Sequence, residues 1–443
     1  MPACGALPDL SRERCPAGQV SHRQVLTDID PTGRCLLRQL LSQQAPSSPL
    51  PSPASSHESY RTGYRGFSRL AAPGPPAQGV DPWVGFMAPP MDPLRIAIVS
   101  PPWYPVPPEG YGGIELVLYL LAQELQGRGH QVTVIGSQGS HGDFELLPLA
   151  PSSWEEKLGT RDQEPLNCAY QLEAHDVVRR RAFDVVHEHN YTAMTVAASM
   201  GLPTPIIGTV HGDLTEADAR FLSEIDSRVR LVAISAVQQG QVAGVRWRGM
   251  VHNAFDPSAV ELSVEKDDYL VEIARISPDK GQHIAIEVAS RVGCQLVLAG
   301  KIDEPEREYF ETEIEPHLGD RVRWTENVAG TEKARLLARA RAMLFPIQWE
   351  EPFGIAMVEA MASGTPVLAT KRGAAEEVVE PGITGFLAKD ADGLVEAFQH
   401  RDEIDARRCA ERAYERFAPA RMADGYEAIF LDEVASVRGG WRS

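Results

Sequence analysis

The sequence predicts an α/β protein made of two doubly wound, Rossmann-like parallel sheets that face each other across a cleft. Three observations carry this. From Leu94 onward, short apolar runs alternate with amphipathic helical stretches, as parallel strands joined by crossover helices require. The alternation restarts after Asn253-Ala-Phe-Asp-Pro257, and 443 residues exceed the ~250–300 that one hydrophobic core organises.

Arg95–Ser100 reads as a buried strand. After a Pro-rich loop, Ile114, Val117, Leu118, Leu121 and Leu125 fall on one helical face, and Gly127-Arg-Gly129 stops that helix. Val132–Ile135, Val185–His187, Ile206–Thr209 and Leu231–Ile234 complete the first layer. A charged stretch from Glu261 to Asp268 separates it from the strands Tyr269–Ile273, Gln295–Ala299, Val322–Trp324, Met343–Phe345 and Pro366–Thr370. The helical tail from Pro419 to about Val437 has no strand to follow, so it is expected to pack back onto the first domain. The expected division is a tail over 1–93, domains over 94–256 and 257–418, and a closing helix within 419–443.

Charge narrows the function. With 43 Lys+Arg against 61 Asp+Glu the net charge is −18, which excludes a protein that binds nucleic acid or anionic lipid chiefly by electrostatics. Six cysteines without a C-x-x-C pair fit a reduced, cytoplasmic protein. No run reaches the ~18–20 apolar residues of a membrane span, and the first thirty residues lack the apolar core of a signal peptide, so neither membrane insertion nor secretion is expected. Residues 1–93 hold 15 of the 34 prolines and a net charge of +1, a composition expected to stay disordered. A docking arm and a dispensable extension, with Met91 as the natural beginning, both fit; the second is preferred because the first strand begins just after Met91.

Three motifs carry chemistry. Gly110-Tyr-Gly-Gly113 leads from the first strand into a helix, where adjacent glycines and unpaired N–H groups suit an anion, although a plain tight turn reads the same way. Arg275-x4-Lys280-Gly281 sets two cations at a strand's carboxyl end, suited to a diphosphate, against a solvated pair at a helix start. In Glu351-Pro-Phe-Gly-Ile-Ala-Met-Val-Glu359, Pro352 keeps Glu351 in the loop while Phe353, Gly354 and Ile355 open a helix; Glu359 is placed to bind ribose hydroxyls, or merely sits in a capped surface helix.

Together these motifs resemble the retaining glycosyltransferases of family 4, which have the GT-B fold; the resemblance runs from residue 94 to about 436. It implies a nucleotide-sugar donor on the second domain, a hydroxyl acceptor on the first, no metal and no cofactor. Carried over by residue, it makes Gly112 and Gly113 backbone donors to the diphosphate and Arg275 and Lys280 its cations. Phe353, Gly354 and Ile355 would offer main-chain N–H groups to the sugar and β-phosphate, Glu351 would bind sugar hydroxyls, and Glu359 the ribose. His211, in Thr209-Val-His-Gly-Asp213, matches the family's histidine near the anomeric centre. Two departures stand out: Ala299-Gly300-Lys301 lacks a second glycine, and Glu326-Asn327-Val328 lacks the glycine before the base-contacting residue, for which Val328 is the candidate.

No D-x-D metal anchor and no carboxylate pair at retaining-hydrolase spacing is evident, so cations and helix dipoles would stabilise the leaving diphosphate in a front-face substitution. His187-Glu188-His189 reads as a structural element at the cleft edge rather than a metal site. Trp103, Tyr104 and Tyr111 either stack on an acceptor sugar or stiffen their loop, and Arg179-Arg-Arg181 reads as a helix C-terminal cap. A sugar-nucleotide epimerase and a non-enzymatic nucleotide-binding relative are the alternatives; donor incubated alone separates the first, and the joint presence of Gly113, His211, Arg275, Lys280, Glu351 and Glu359 speaks against the second.

Overall fold

Seven short strands form the first sheet: β1 (Arg95–Val99), β2 (Gln131–Ser137), β3 (Glu145–Ala150), β4 (Val185–Glu188), β5 (Ile206–Val210), β6 (Val229–Ala233) and β7 (Trp247–Met250). They pair in parallel in the order β3-β2-β1-β4-β5-β6-β7. The connecting helices are α1 (Gly113–Gly127), α2 (Gln163–Arg180), α3 (Ala193–Ser199), α4 (Glu216–Ile225) and α5 (Ala236–Gln241). The structure is a computed structural model in which residues 92–440 are described, apart from Tyr111 and Asn327. What the sequence leads one to expect of residues 1–91 lies outside the described residues.

The second sheet repeats the plan with β8 (Tyr269–Ile273), β9 (Gln295–Ala299), β10 (Val322–Thr325), β11 (Ala342–Phe345), β12 (Val367–Thr370) and β13 (Gly385–Ala388), paired in parallel in the order β10-β9-β8-β11-β12-β13. Its helices are α6 (Gln282–Val292), the short α7 (Arg307–Tyr309), α8 (Gly330–Arg339), α9 (Ile355–Ala362), α10 (Ala375–Val378), α11 (Ala391–His400) and α12 (Ala406–Phe417). The chain ends in the 22-residue α13 (Pro419–Gly440).

Each sheet buries apolar layers, and its central strands are apolar on both faces, as covered parallel strands are. In α1 the predicted face is buried through Val117, Leu118, Leu121 and Leu125, and Gly129, at φ 94°, turns the chain out of the helix. β3, β7 and β13 add strands that the apolar runs do not disclose. All three are edge strands, and their half-buried residues leave a weak hydrophobic signal.

The closing helix does cross back. α12 packs on α9 of the second lobe, the chain turns at Ala418, and α13 lies along α1 of the first lobe. Met422, Ala423, Tyr426, Ile429, Phe430 and Val434 join the first lobe's core. Arg128 ties the helix down through Asp424 at 2.8 Å and Glu427 at 2.5 Å, and Arg230 reaches Glu433 at 3.0 Å. Among the described residues no helix is long and apolar enough to cross a membrane.

Candidate active site

In a doubly wound sheet the strand order reverses beside the first strand, and the loops on either side diverge there to leave a crevice. In the second lobe that point lies between β8 and β11. The β8 loop carries Arg275 and Lys280; the β11 loop carries Trp349 and Glu351. Gly281 makes their close approach possible: it sits at φ 80°, and a Cβ there would lie 2.2 Å from the Pro346 carbonyl oxygen. Gln348 N donates to Asp279 O at 2.6 Å, docking one loop on the other. Lys280 Nζ is thereby brought 2.7 Å from Glu351 Oε2 and 4.1 Å from the centre of the Trp349 ring.

Two of the predicted residues thus meet directly. Arg275 pairs with Asp303 at 3.1 Å, which also binds Lys301 at 3.0 Å. At Gly300, the single glycine of Ala299-Gly300-Lys301, a Cβ would run into the Ala274 carbonyl oxygen at 1.8 Å. Glu359, on α9, is buried and lies 2.6 Å from Lys333 on α8, a partner the sequence reading missed. Val328 is half-buried in the loop between β10 and α8. Phe353 is buried against His252 and Phe417, and Gly354, at φ 82°, caps α9.

In the first lobe the reversal falls between β1 and β4. Gly112 caps α1 at φ 146°, where a Cβ would strike Pro108 at 2.7 Å. A Cβ on Gly113 would stand 3.6 Å from Ile355 Cδ1. The starts of α1 and α9 therefore meet across the cleft, and both present helix N-termini suited to an anion. Glu377 of α10 links the lobes further: its carboxylate accepts from Ala236 N at 2.8 Å and lies 2.5 Å from His252 Nε2. Glu115, in the first turn of α1, is buried, and desolvation pushes its carboxyl up to about 7.

His211 is half-buried at the end of β5, and its bonds run into the first lobe. His189 Nδ1 is 2.8 Å from His211 Nε2, and His189 Nε2 is 3.1 Å from His187 Nδ1. The chain continues from His187 Nε2 to Thr209 Oγ1 at 2.8 Å and on to Tyr426 OH at 2.9 Å. His187 and His189 thus continue inward from His211, which a purely edge-of-cleft role does not describe. Their spacing held the clue, since residues two apart along a strand share a face. Burial pushes His211 down to about 4, and His187 and His189 also lie well below the usual histidine range, so all three are neutral at pH 7. Among the described residues no group of His, Cys, Asp and Glu is arranged to hold a metal ion.

In the aromatic loop Trp103 is buried with 8% exposure, which fits the loop-stiffening alternative, whereas Tyr104 is half-buried; Tyr111, like Asn327, lies outside the described residues. Arg179 and Arg180, in the last turn of α2, pair with Asp176, and Arg181 pairs with Glu145.

Two family models match adjoining parts of the chain: "Glycosyl transferases group 1" over residues 256–416 and "Glycosyltransferase Family 4" over residues 111–241. N-acetyl-alpha-D-glucosaminyl L-malate synthase of Bacillus anthracis is 26% identical over 380 residues, covering 74% of this chain and 96% of its own. D-inositol 3-phosphate glycosyltransferase of Mycolicibacterium smegmatis is 24% identical over 404 residues, covering 78% and 93%. Among solved structures, a glycosyltransferase involved in avilamycin A biosynthesis superposes with a TM-score of 0.63 at 27% identity, covering 78% of this chain and 99% of that one. An Anabaena protein crystallised with UDP and glucose shares the fold at a TM-score of 0.60 and 21% identity, covering 76% of this chain and 100% of that one.

Proposed function

The chain belongs to the family 4 (group 1) glycosyltransferases and has their GT-B fold, and from that membership we propose that it moves a hexosyl group from a nucleotide-sugar to a hydroxyl acceptor, with retention at the anomeric carbon and without a metal ion. One observation carries the reading: the two rims of the cleft differ in their cations. Loops that follow strands of the second sheet carry Arg275, Lys280, Lys301, Lys371, Arg372 and Lys389. Loops that follow β1, β2, β4, β5 and β6 carry no Lys or Arg, and they expose Glu109, Asp143 and Asp213; Lys157 and Arg161 come only after the edge strand β3.

A pyrophosphate therefore belongs on the second lobe, with the starts of α1 and α9 adding their positive ends. Lys280 and Arg275 take up charge as the sugar–phosphate bond breaks. Glu351 holds sugar hydroxyls, Glu359 the ribose, and Val328 borders the base. The acceptor oxygen attacks the anomeric carbon from the face that the phosphate leaves, and its proton passes to the departing phosphate oxygen. L-malate and inositol 3-phosphate, present in the names of two relatives, are anions. The loops beside the β1–β4 reversal, which carry no Lys or Arg, instead suit an acceptor without phosphate or carboxylate.

Thermal or chemical stability measured with UDP, GDP, ADP and dTDP tests the donor site: the matching nucleotide at 100 times its Kd adds ~2.7 kcal/mol. Product NMR with the matching sugar nucleotide then reads the anomeric configuration, with and without EDTA. Lack of stabilisation by any nucleoside diphosphate, or conversion of the donor's sugar in the absence of acceptor, would overturn the reading.

A further inference from the structure

We propose that Tyr426, on the closing helix, fixes the proton order of the His187–His189–His211 chain so that His211 offers a protonated Nδ1 to the cleft. The proposal rests on His211 belonging to the active site, and its geometry is independent of that role. His189 has both ring nitrogens engaged by other histidines, at 2.8 and 3.1 Å. His187 has one engaged by His189 and the other by Thr209 Oγ1, at 2.8 Å.

A neutral imidazole carries one N–H, so each of these rings donates through one nitrogen and accepts through the other. The direction is then all or none along the chain. Its buried end decides which. Tyr426 is fully buried, and among the described residues its hydroxyl has one hydrogen-bond partner, Thr209 Oγ1 at 2.9 Å. A buried phenol must place its proton, so Tyr426 donates to Thr209. Thr209 in turn donates to His187 Nε2, His187 Nδ1–H to His189 Nε2, and His189 Nδ1–H to His211 Nε2. The one proton of His211 is left on Nδ1. Reversal would leave one buried hydroxyl proton, that of Tyr426 or that of Thr209, without an acceptor.

The rings are packed to keep this order. His187 lies 3.9 Å from the centre of His189 and 4.5 Å from that of Tyr426, and Phe430 meets His187 edge-on at 5.2 Å. His211 so arranged is a hydrogen-bond donor to a sugar or phosphate oxygen and cannot take the acceptor's proton. Tyr426 acts on His211 through Thr209 and two rings and is a positioning residue.

Histidine-15N-labelled full-length protein at pH 7, with signals assigned from single variants, reads the ring tautomers directly. His187, His189 and His211 are all expected as Nδ1–H. An Nε2–H form of His211 in the wild type overturns the proposal. Tyr426→Phe is expected to bring in a second His211 tautomer and to lower kcat about 3–10-fold at unchanged KM for donor. If that variant does not fold, Thr209→Val cuts the same link, and Thr209→Ser should retain the single tautomer. A single unchanged tautomer in both Tyr426→Phe and Thr209→Val overturns the proposal. Full turnover by His211→Ala would remove His211 from the site while leaving the tautomer result standing, so the two failures are separable.

Discussion

Lys280 is paired with Glu351 across two loops that meet only because Gly281 has no side chain to strike Pro346. The cation after the first strand of the second lobe is thus aimed by the loop after the fourth. If it meets charge on the departing diphosphate, Lys280→Ala lowers kcat more than ~100-fold, with a smaller change in donor affinity. Steady-state kinetics with a donor titration decides this. Turnover near wild type would remove Lys280 from the chemistry.

Glu359 is buried beside Lys333 and is the proposed ribose ligand. A hydrogen bond to a charged group contributes ~1.5–3 kcal/mol, so Glu359→Gln should weaken nucleoside diphosphate binding about 10–100-fold by calorimetry. A 2′,3′-dideoxy nucleotide should bind both proteins equally weakly. Equal losses for ribose and dideoxyribose ligands would mean that Glu359 acts elsewhere.

Glu115 gives a pH signature. Its carboxyl is raised to about 7 by burial, against 4.5 in the unfolded chain, so the folded state holds the proton that the unfolded state has lost between those values. Wild-type stability therefore contains a contribution that is present below pH 4.5 and lost as pH rises to 7. Glu115→Gln cannot titrate, and from pH 5 to pH 8 it should gain about 2–3 kcal/mol on wild type in denaturant unfolding. A difference that stays constant with pH contradicts the buried carboxyl.

The lack of Lys and Arg in the loops after β1, β2, β4, β5 and β6 makes a prediction about acceptors. In a matched panel, an acceptor bearing phosphate or carboxylate should show kcat/KM at least ~10-fold below its neutral counterpart, since like charges meet without a compensating cation. Preference for the anionic member would mean that cations reach the acceptor from elsewhere in the chain.

How far the sequence was legible follows from burial. Continuous apolar runs such as Ile96–Val99 disclosed the central strands, whereas Glu145–Ala150, with Pro148 inside it, did not read as a strand because an edge position tolerates what an interior one forbids. In the proposed site, Arg275, Lys280, Glu351 and Glu359 stand in short motifs and are legible as candidates from the sequence alone. Thr209, Lys333, Tyr426 and the Trp349 platform escaped because their roles depend on contacts between elements far apart in the chain. Thr209 and Tyr426 are 217 residues apart, and no local pattern joins them.

The crossing of α13 also sets an order of assembly. During synthesis the N-terminal lobe emerges first, yet Tyr426, Ile429, Phe430 and Val434, which complete its core, follow the whole second lobe in the chain. Until α13 has emerged, that lobe keeps an open apolar groove along α1. A chain cut before Pro419 would therefore leave the earlier-made lobe unsealed.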